Sequence, residues 1–146
     1  MNAEKDDRKS LAIMAELENY ERVVEFIGGE LKNCGCDEKT SVRIQTAVEE
    51  IFVNIASYAY EPDRGETEIR FWTKTDPDQI WVQFCDHGKQ FNPLERPDPD
   101  LKLDLEERQA GGLGIFMVKE FMDEVTYVYK DKTNILSFGI SYTKKA

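Results

Sequence analysis

Glu50 and Asn54 stand four residues apart in Glu49-Glu50-Ile51-Phe52-Val53-Asn54, next to apolar Val48, Ile51, Phe52 and Ile55. On a helix that spacing puts a carboxylate and an amide on one face, at the edge of a core. The amide oxygen can serve a Mg²⁺ that also binds phosphates and keeps several waters, and the carboxylate can act as general base toward a hydroxyl or a water. Without the downstream context, a solvated Glu/Asn face is the better explanation of the pair. Downstream lie Asp86-His87-Gly88 and Gly111-Gly112-Leu113-Gly114-Ile115. A carboxylate at a strand end, with glycine two residues on, can accept a hydrogen bond from the amino group of adenine while the base approaches the backbone. Its alternative is a plain strand-to-turn Asp-x-Gly. The glycines ahead of a helix can aim N–H groups at phosphates, or they can form the hinge of a lid. Arg108 can clamp a γ-phosphate, or it can pair on the surface with Glu106 or Glu107.

Neither common phosphate motif is present. There is no GxxxxGK[ST], and Gly112-Leu113-Gly114 lacks the third glycine of GxGxxG and follows a loop instead of a strand. An unusual nucleotide fold is therefore required.

The elements that position these residues follow from periodicity. Tyr20, Val23, Val24, Ile27 and Leu31 recur at helical spacing behind the candidate N-cap Asn19, and the helix should stop near Asn33-Cys34-Gly35. Asp37 can cap a second helix, whose stripe Ile44, Ala47, Val48, Ile51, Phe52 and Ile55 runs to about Tyr58 and carries Glu50 and Asn54. After Pro62 to Gly65 the period becomes two. Ile69 and Phe71 mark one strand; beyond a turn at Asp76-Pro77-Asp78, Ile80, Val82 and Phe84 mark another that ends at Asp86. Asn92 to Arg108 reads as a long loop with a helical turn around Leu101 to Glu107, and a short helix starts in the glycines. Two strands close the chain, Val125 to Lys130 and Asn134 to Tyr142, joined at Asp131-Lys132-Thr133. Leu11 to Leu17 alternates and can add an edge strand.

Helices first and hairpin-like strands later predict an α+β two-layer sandwich, a mainly antiparallel sheet with helices on one face. The other face, with Trp72 and Trp81, is either open to a partner or second subunit or packed among long polar side chains. Residues 1–10 are expected to be a flexible N-terminus and 11–146 a single domain. The 29 acidic and 19 basic residues give a net charge of −10, which argues against direct binding of nucleic acid or of an anionic membrane. A charged Met1 to Ser10 and the lack of any run approaching ~20 apolar residues lead us to expect a cytoplasmic protein. Cys34, Cys36 and Cys85 are read as free thiols, because Cys-Gly-Cys with one distant histidine lacks the usual zinc spacing.

Glu50-x-x-x-Asn54, Asp86-x-Gly88 and Gly112-x-Gly114 resemble the N, G1 and G2 boxes of the GHKL ATP-binding superfamily. Ala47-Val48-Glu49-Glu50, Ala59-Tyr60, Phe91-Asn92-Pro93 and Phe121-Met122-Asp123-Glu124-Val125 resemble its anti-sigma factor serine kinase branch. The likeness runs from about Leu11 to Tyr142. It implies Glu50 as catalytic base, Asn54 as the Mg²⁺ ligand and Asp86 as the adenine-binding acid. It further implies Gly88, Gly111, Gly112, Leu113 and Gly114 around adenine and phosphates, Arg108 as a phosphate contact and Asn92 to Ala110 as the lid. Members of this branch bind a sigma factor and a STAS-type anti-anti-sigma protein, phosphorylate a serine of the latter with ATP, and commonly form homodimers. The resemblance therefore implies a partner-switching regulator of transcription. Tyr58 stands where a histidine is common and Gln90 where a further glycine is common. An ATP-gated binding module without phosphotransfer, or a pure interaction domain, are the alternatives. His87 is the one histidine, so the chain offers no separate phosphoacceptor helix of a sensor histidine kinase.

Overall fold

Alternating apolar residues build the sheet and helical stripes cover it. The computed structural model describes residues 8–95 and 112–145. It contains β1 (Lys9–Met14), α1 (Tyr20–Asn33), α2 (Glu38–Asn54), β2 (Glu66–Lys74), β3 (Gln79–Asp86), α3 (Gly112–Phe121), β4 (Glu124–Lys130) and β5 (Thr133–Ser141). The strands form one five-stranded sheet in the order β1-β2-β3-β5-β4, antiparallel throughout. The expected two-layer sandwich is the observed architecture. Val23, Ile27 and Leu31 of α1 and Ile44, Val48, Ile51 and Phe52 of α2 meet Ile69, Phe71, Ile80, Val82, Phe84 and Phe138 in one buried core. Among the described residues no helix is long and apolar enough to cross a membrane.

The period-two rows decide where the polar residues land. Asp86 is in phase with Ile80, Val82 and Phe84, and Asn134 with Leu136, Phe138 and Ile140. Both polar residues thus extend core-facing rows to the same end of the sheet, and register pairs them directly. On the helix-free face, Trp72 and Trp81 stack with ring centroids 6.2 Å apart, Arg8 lies 4.2 Å from the Trp72 ring and Lys74 4.7 Å from the Trp81 ring. Beside them Arg70 bonds Glu68 and Gln83, and Gln83 bonds Ser137, so polar groups on this face are satisfied laterally.

Three local expectations change, and a fourth falls outside the described residues. Leu17 does not continue the edge strand: the chain turns after Met14, with the Glu16 N–H on Met14 O at 2.8 Å, and Leu17 is left exposed. Asn19 occupies the cap position of α1, yet its amide donates back to Met14 O at 3.0 Å instead of capping. The second helix does run toward Tyr58, but its last stretch, Ile55–Ala59, widens into a π-helical turn. The helical turn expected at Leu101 to Glu107 lies outside the described residues, as does most of the Asn92 to Ala110 loop.

Asp37 caps α2 as expected, accepting from the Thr40 N–H at 3.1 Å and its hydroxyl at 2.9 Å. Its other oxygen takes the Thr143 N–H at 2.9 Å, tying the C-terminal segment to the helix start. Burial raises the Asp37 carboxyl, but these donors outweigh it and hold the group below its ordinary 3.8. A carboxyl lowered on folding stabilises above its unfolded value and loses that contribution as pH falls through the folded one. Asp37→Ala should therefore cost about 1–2 kcal/mol at neutral pH. Urea titrations should show that gap closing below roughly pH 4; a gap unchanged with pH would mean the cap acts without its charge.

Candidate nucleotide site

The site lies where the core-facing rows of β3 and β5 run out. Ile51, Asn54, Ile55 and Tyr58 from α2 and its π turn, Phe84 and Asp86 from β3, Ile115 from α3 and Tyr127 and Leu136 from the sheet line a cleft of about 370 Å³. Its walls are mainly apolar and its buried carboxylate is Asp86, 6% exposed. An apolar cleft of this size with a few fixed polar groups suits a base-sized ligand. A second hollow of about 380 Å³, near Lys9, Glu30, Cys34 and Tyr142, gathers none of the motif residues.

Asp86 Oδ1 accepts the Gly88 N–H at 2.9 Å and the Asn134 amide at 3.0 Å. Among the described residues nothing bonds Oδ2, which leaves one acceptor for a ligand. The Asn134 amide also donates to Lys89 O at 2.8 Å and touches Gly88 O at 3.4 Å, while its oxygen accepts from the Phe91 N–H at 3.2 Å and the Tyr127 hydroxyl. Burial, eased by the Phe91 N–H and reinforced by the Asp86 charge, pushes the Tyr127 phenol up, so it stays a donor at neutral pH. From the other side the π turn offers Ala59 O, which accepts the Lys89 N–H at 2.9 Å. Only glycine fits at residue 88, because a Cβ there would lie 2.2 Å from Ala59 O. The Tyr60 hydroxyl completes the frame, donating to Glu66 O at 2.6 Å and accepting the His87 N–H at 2.8 Å.

The N-box pair sits at the α3 end of the cleft. Asn54 Nδ2 donates to Glu50 Oε1 at 3.3 Å, so the amide oxygen is turned away from the carboxylate and Asn54 lines the cleft. Oxygen is the donor Mg²⁺ prefers, and one neutral ligand suits an ion that arrives with phosphates and water; Asn54 therefore fits the role. Glu50 lies against the first turn of α3. A Cβ at Gly114 would fall 1.9 Å from its carboxyl carbon, so glycine there lets carboxylate and helix start share one place. That helix end carries partial positive charge.

The structure thus brings Glu50, Asn54 and Gly114 together, and Asp86 with Gly88, both groups at one cleft. Gly112 opens α3 with Leu113 beside it in the backbone; Arg108 and Gly111 lie outside the described residues. His87 is exposed, its Nδ1 3.1 Å from the Thr133 hydroxyl, and it does not line the cleft. Tyr58 and Gln90, two of the positions where the sequence departs from the family pattern, do line it. Sequence reading missed Asn134. Its signal was an asparagine just after a turn, at a strand position where that residue type is disfavoured.

Comparison with known proteins bears on the fold and the family. Serine-protein kinase RsbW of Staphylococcus aureus is 26% identical over 147 aligned residues, covering 97% of this chain and 90% of that protein. The crystal structure of the RsbU and RsbW domains of Rv1364c from Mycobacterium tuberculosis shares the fold, with a TM-score of 0.66 at 15% identity over 94% of this chain. This chain covers 34% of that one. Residues 13–140 match the histidine kinase-like ATPase domain, a span that holds the whole cleft, and the chain belongs to that family.

Proposed function

We propose that this chain is an ATP- and Mg²⁺-dependent serine kinase that acts as an anti-sigma factor. Its substrate would be a serine of a STAS-type anti-anti-sigma protein, and its other partner a sigma factor. Family membership implies ATP binding, and the distant full-length similarity to RsbW, a named serine-protein kinase, supports the finer reading. The observation that carries it is the placement of Glu50 over the first turn of α3, bonded to Asn54, beside the cleft that ends in Asp86.

In this reading Asp86 Oδ2 accepts the 6-amino group of adenine and the apolar walls hold the ring. Gly88 lets the loop close on the base. The N–H groups opening α3 at Gly112, Leu113 and Gly114 would bind the phosphates, a role proposed also for Gly111 and Arg108. Asn54 would hold Mg²⁺, which would supply positive charge to offset that on the transferring phosphoryl group. Glu50 takes the proton of the serine hydroxyl as its oxygen bonds to the γ-phosphorus and ADP leaves. The protein would work in the cytoplasm as a homodimer.

Incubation with γ-labelled ATP, Mg²⁺ and a STAS-type protein from the same cell is the test. Label on a serine of the partner is the expected result. Capture of the partner that depends on ATP but transfers no label would make the chain an ATP-gated binding module. No response to ATP would make it an interaction domain.

A further inference from the structure

We infer that Asn134 is a positioning residue that sets the base preference of the cleft by acting through Asp86. The inference rests on the nucleotide reading above and adds to it a residue outside the three boxes. Asn134 is 6% exposed, and the hydrogen-bonding capacity of its carboxamide is spent within the protein. Its N–H groups hold Asp86 Oδ1 and the carbonyls of the 88–89 loop; its oxygen takes the Phe91 N–H and the Tyr127 hydroxyl. A ligand therefore finds no partner on Asn134 itself.

The effect of these bonds falls on Asp86. With the Gly88 N–H and the Asn134 amide both on Oδ1, that oxygen has no lone pair to spare. The carboxylate cannot rotate without breaking a bond to a buried donor, a costly change. Oδ2 is thereby fixed as a single acceptor at the end of an apolar slot, matched to one N–H of an exocyclic amino group. The same carboxamide joins β5 to the loop after β3, so the acceptor and the loop that would cover the base are held as one unit.

A ligand pair separates this role from plain structural support. ADP carries the 6-amino group; purine riboside 5′-diphosphate has hydrogen in its place and is otherwise the same. Isothermal titration of both should show the wild-type protein preferring ADP by roughly tenfold or more. Asn134→Ala should weaken ADP by roughly tenfold and the analogue by less than about twofold, so that the preference collapses. Equal weakening of both ligands would reduce Asn134 to a loop support, and no change in either would remove it from the site; both results overturn the inference. Should Asn134→Ala fail to fold, Asn134→Ser, which keeps one donor but cannot reach both the carboxylate and the loop, is read by the same criteria. Wild-type protein that binds ADP and the analogue equally overturns the inference while the nucleotide site stands. Wild-type protein that binds neither overturns the nucleotide reading itself.

Discussion

Glu50→Gln is expected to lower phosphotransfer by roughly 10²- to 10⁴-fold while leaving ADP affinity within about twofold. Glutamine matches glutamate in size and still presents an oxygen to the Asn54 amide, so the 3.3 Å bond and the packing against Gly114 can persist. What it cannot do is take a proton from the attacking hydroxyl. Because Glu50 is not part of the cleft lining, base binding should not register the change. Single-turnover labelling of the partner, with ADP titrated in parallel, makes the distinction. A variant that loses ADP affinity along with transfer would show that Glu50 shapes the phosphate end of the site instead of serving as base.

Asp86→Asn is expected to abolish most nucleotide-induced stabilisation. An amide has one oxygen where the carboxylate has two. If that oxygen takes the Oδ1 place, its NH₂ faces the cleft and meets the amino group of adenine donor to donor. If the amide flips, its NH₂ meets the Gly88 N–H and the Asn134 amide instead. At ADP about 100 times the wild-type dissociation constant, wild type should gain about 2.7 kcal/mol. A variant binding about 100-fold more weakly gains about 0.4 kcal/mol at the same concentration. In thermal unfolding that is a shift of roughly 5–10 °C against about 1 °C. Without ligand the variant should melt close to wild type, since with its oxygen at the Oδ1 place the Gly88 N–H and the Asn134 amide keep their acceptor and the NH₂ faces the open cleft. A full ADP shift in the variant would remove Asp86 from base recognition.

Much of this arrangement could be read from the chain because it is local. Asp37 immediately before α2, the turn at Asp131 and Lys132 with positive φ, and the period-two row leading to Asp86 are each set by neighbours a few residues away. Glu50 and Asn54 were placed by helical spacing alone. What escaped was set by tertiary partners. Asn134 acquires its role from Asp86 and the 88–91 segment, more than forty residues earlier; its place just after a turn marks it as unusual in a strand but does not name those partners. The π turn at Ile55–Ala59 answers to the loop it docks, through Ala59 O and the Lys89 N–H, not to any residue type within it. Asn19 has the side chain of a cap, but the turn after β1 offered it a carbonyl first.

The two tryptophans of the chain are both in the stacked pair on the helix-free face, and neither lines the cleft. Tryptophan fluorescence is therefore a reporter for one side of the molecule only. With Arg8 and Lys74 poised over the rings, its emission answers to whatever settles on the bare sheet, while a nucleotide filling the opposite layer passes with little optical trace. Titrated together, a second protein and ADP would be told apart by their light: the first seen in tryptophan emission, the second only in heat.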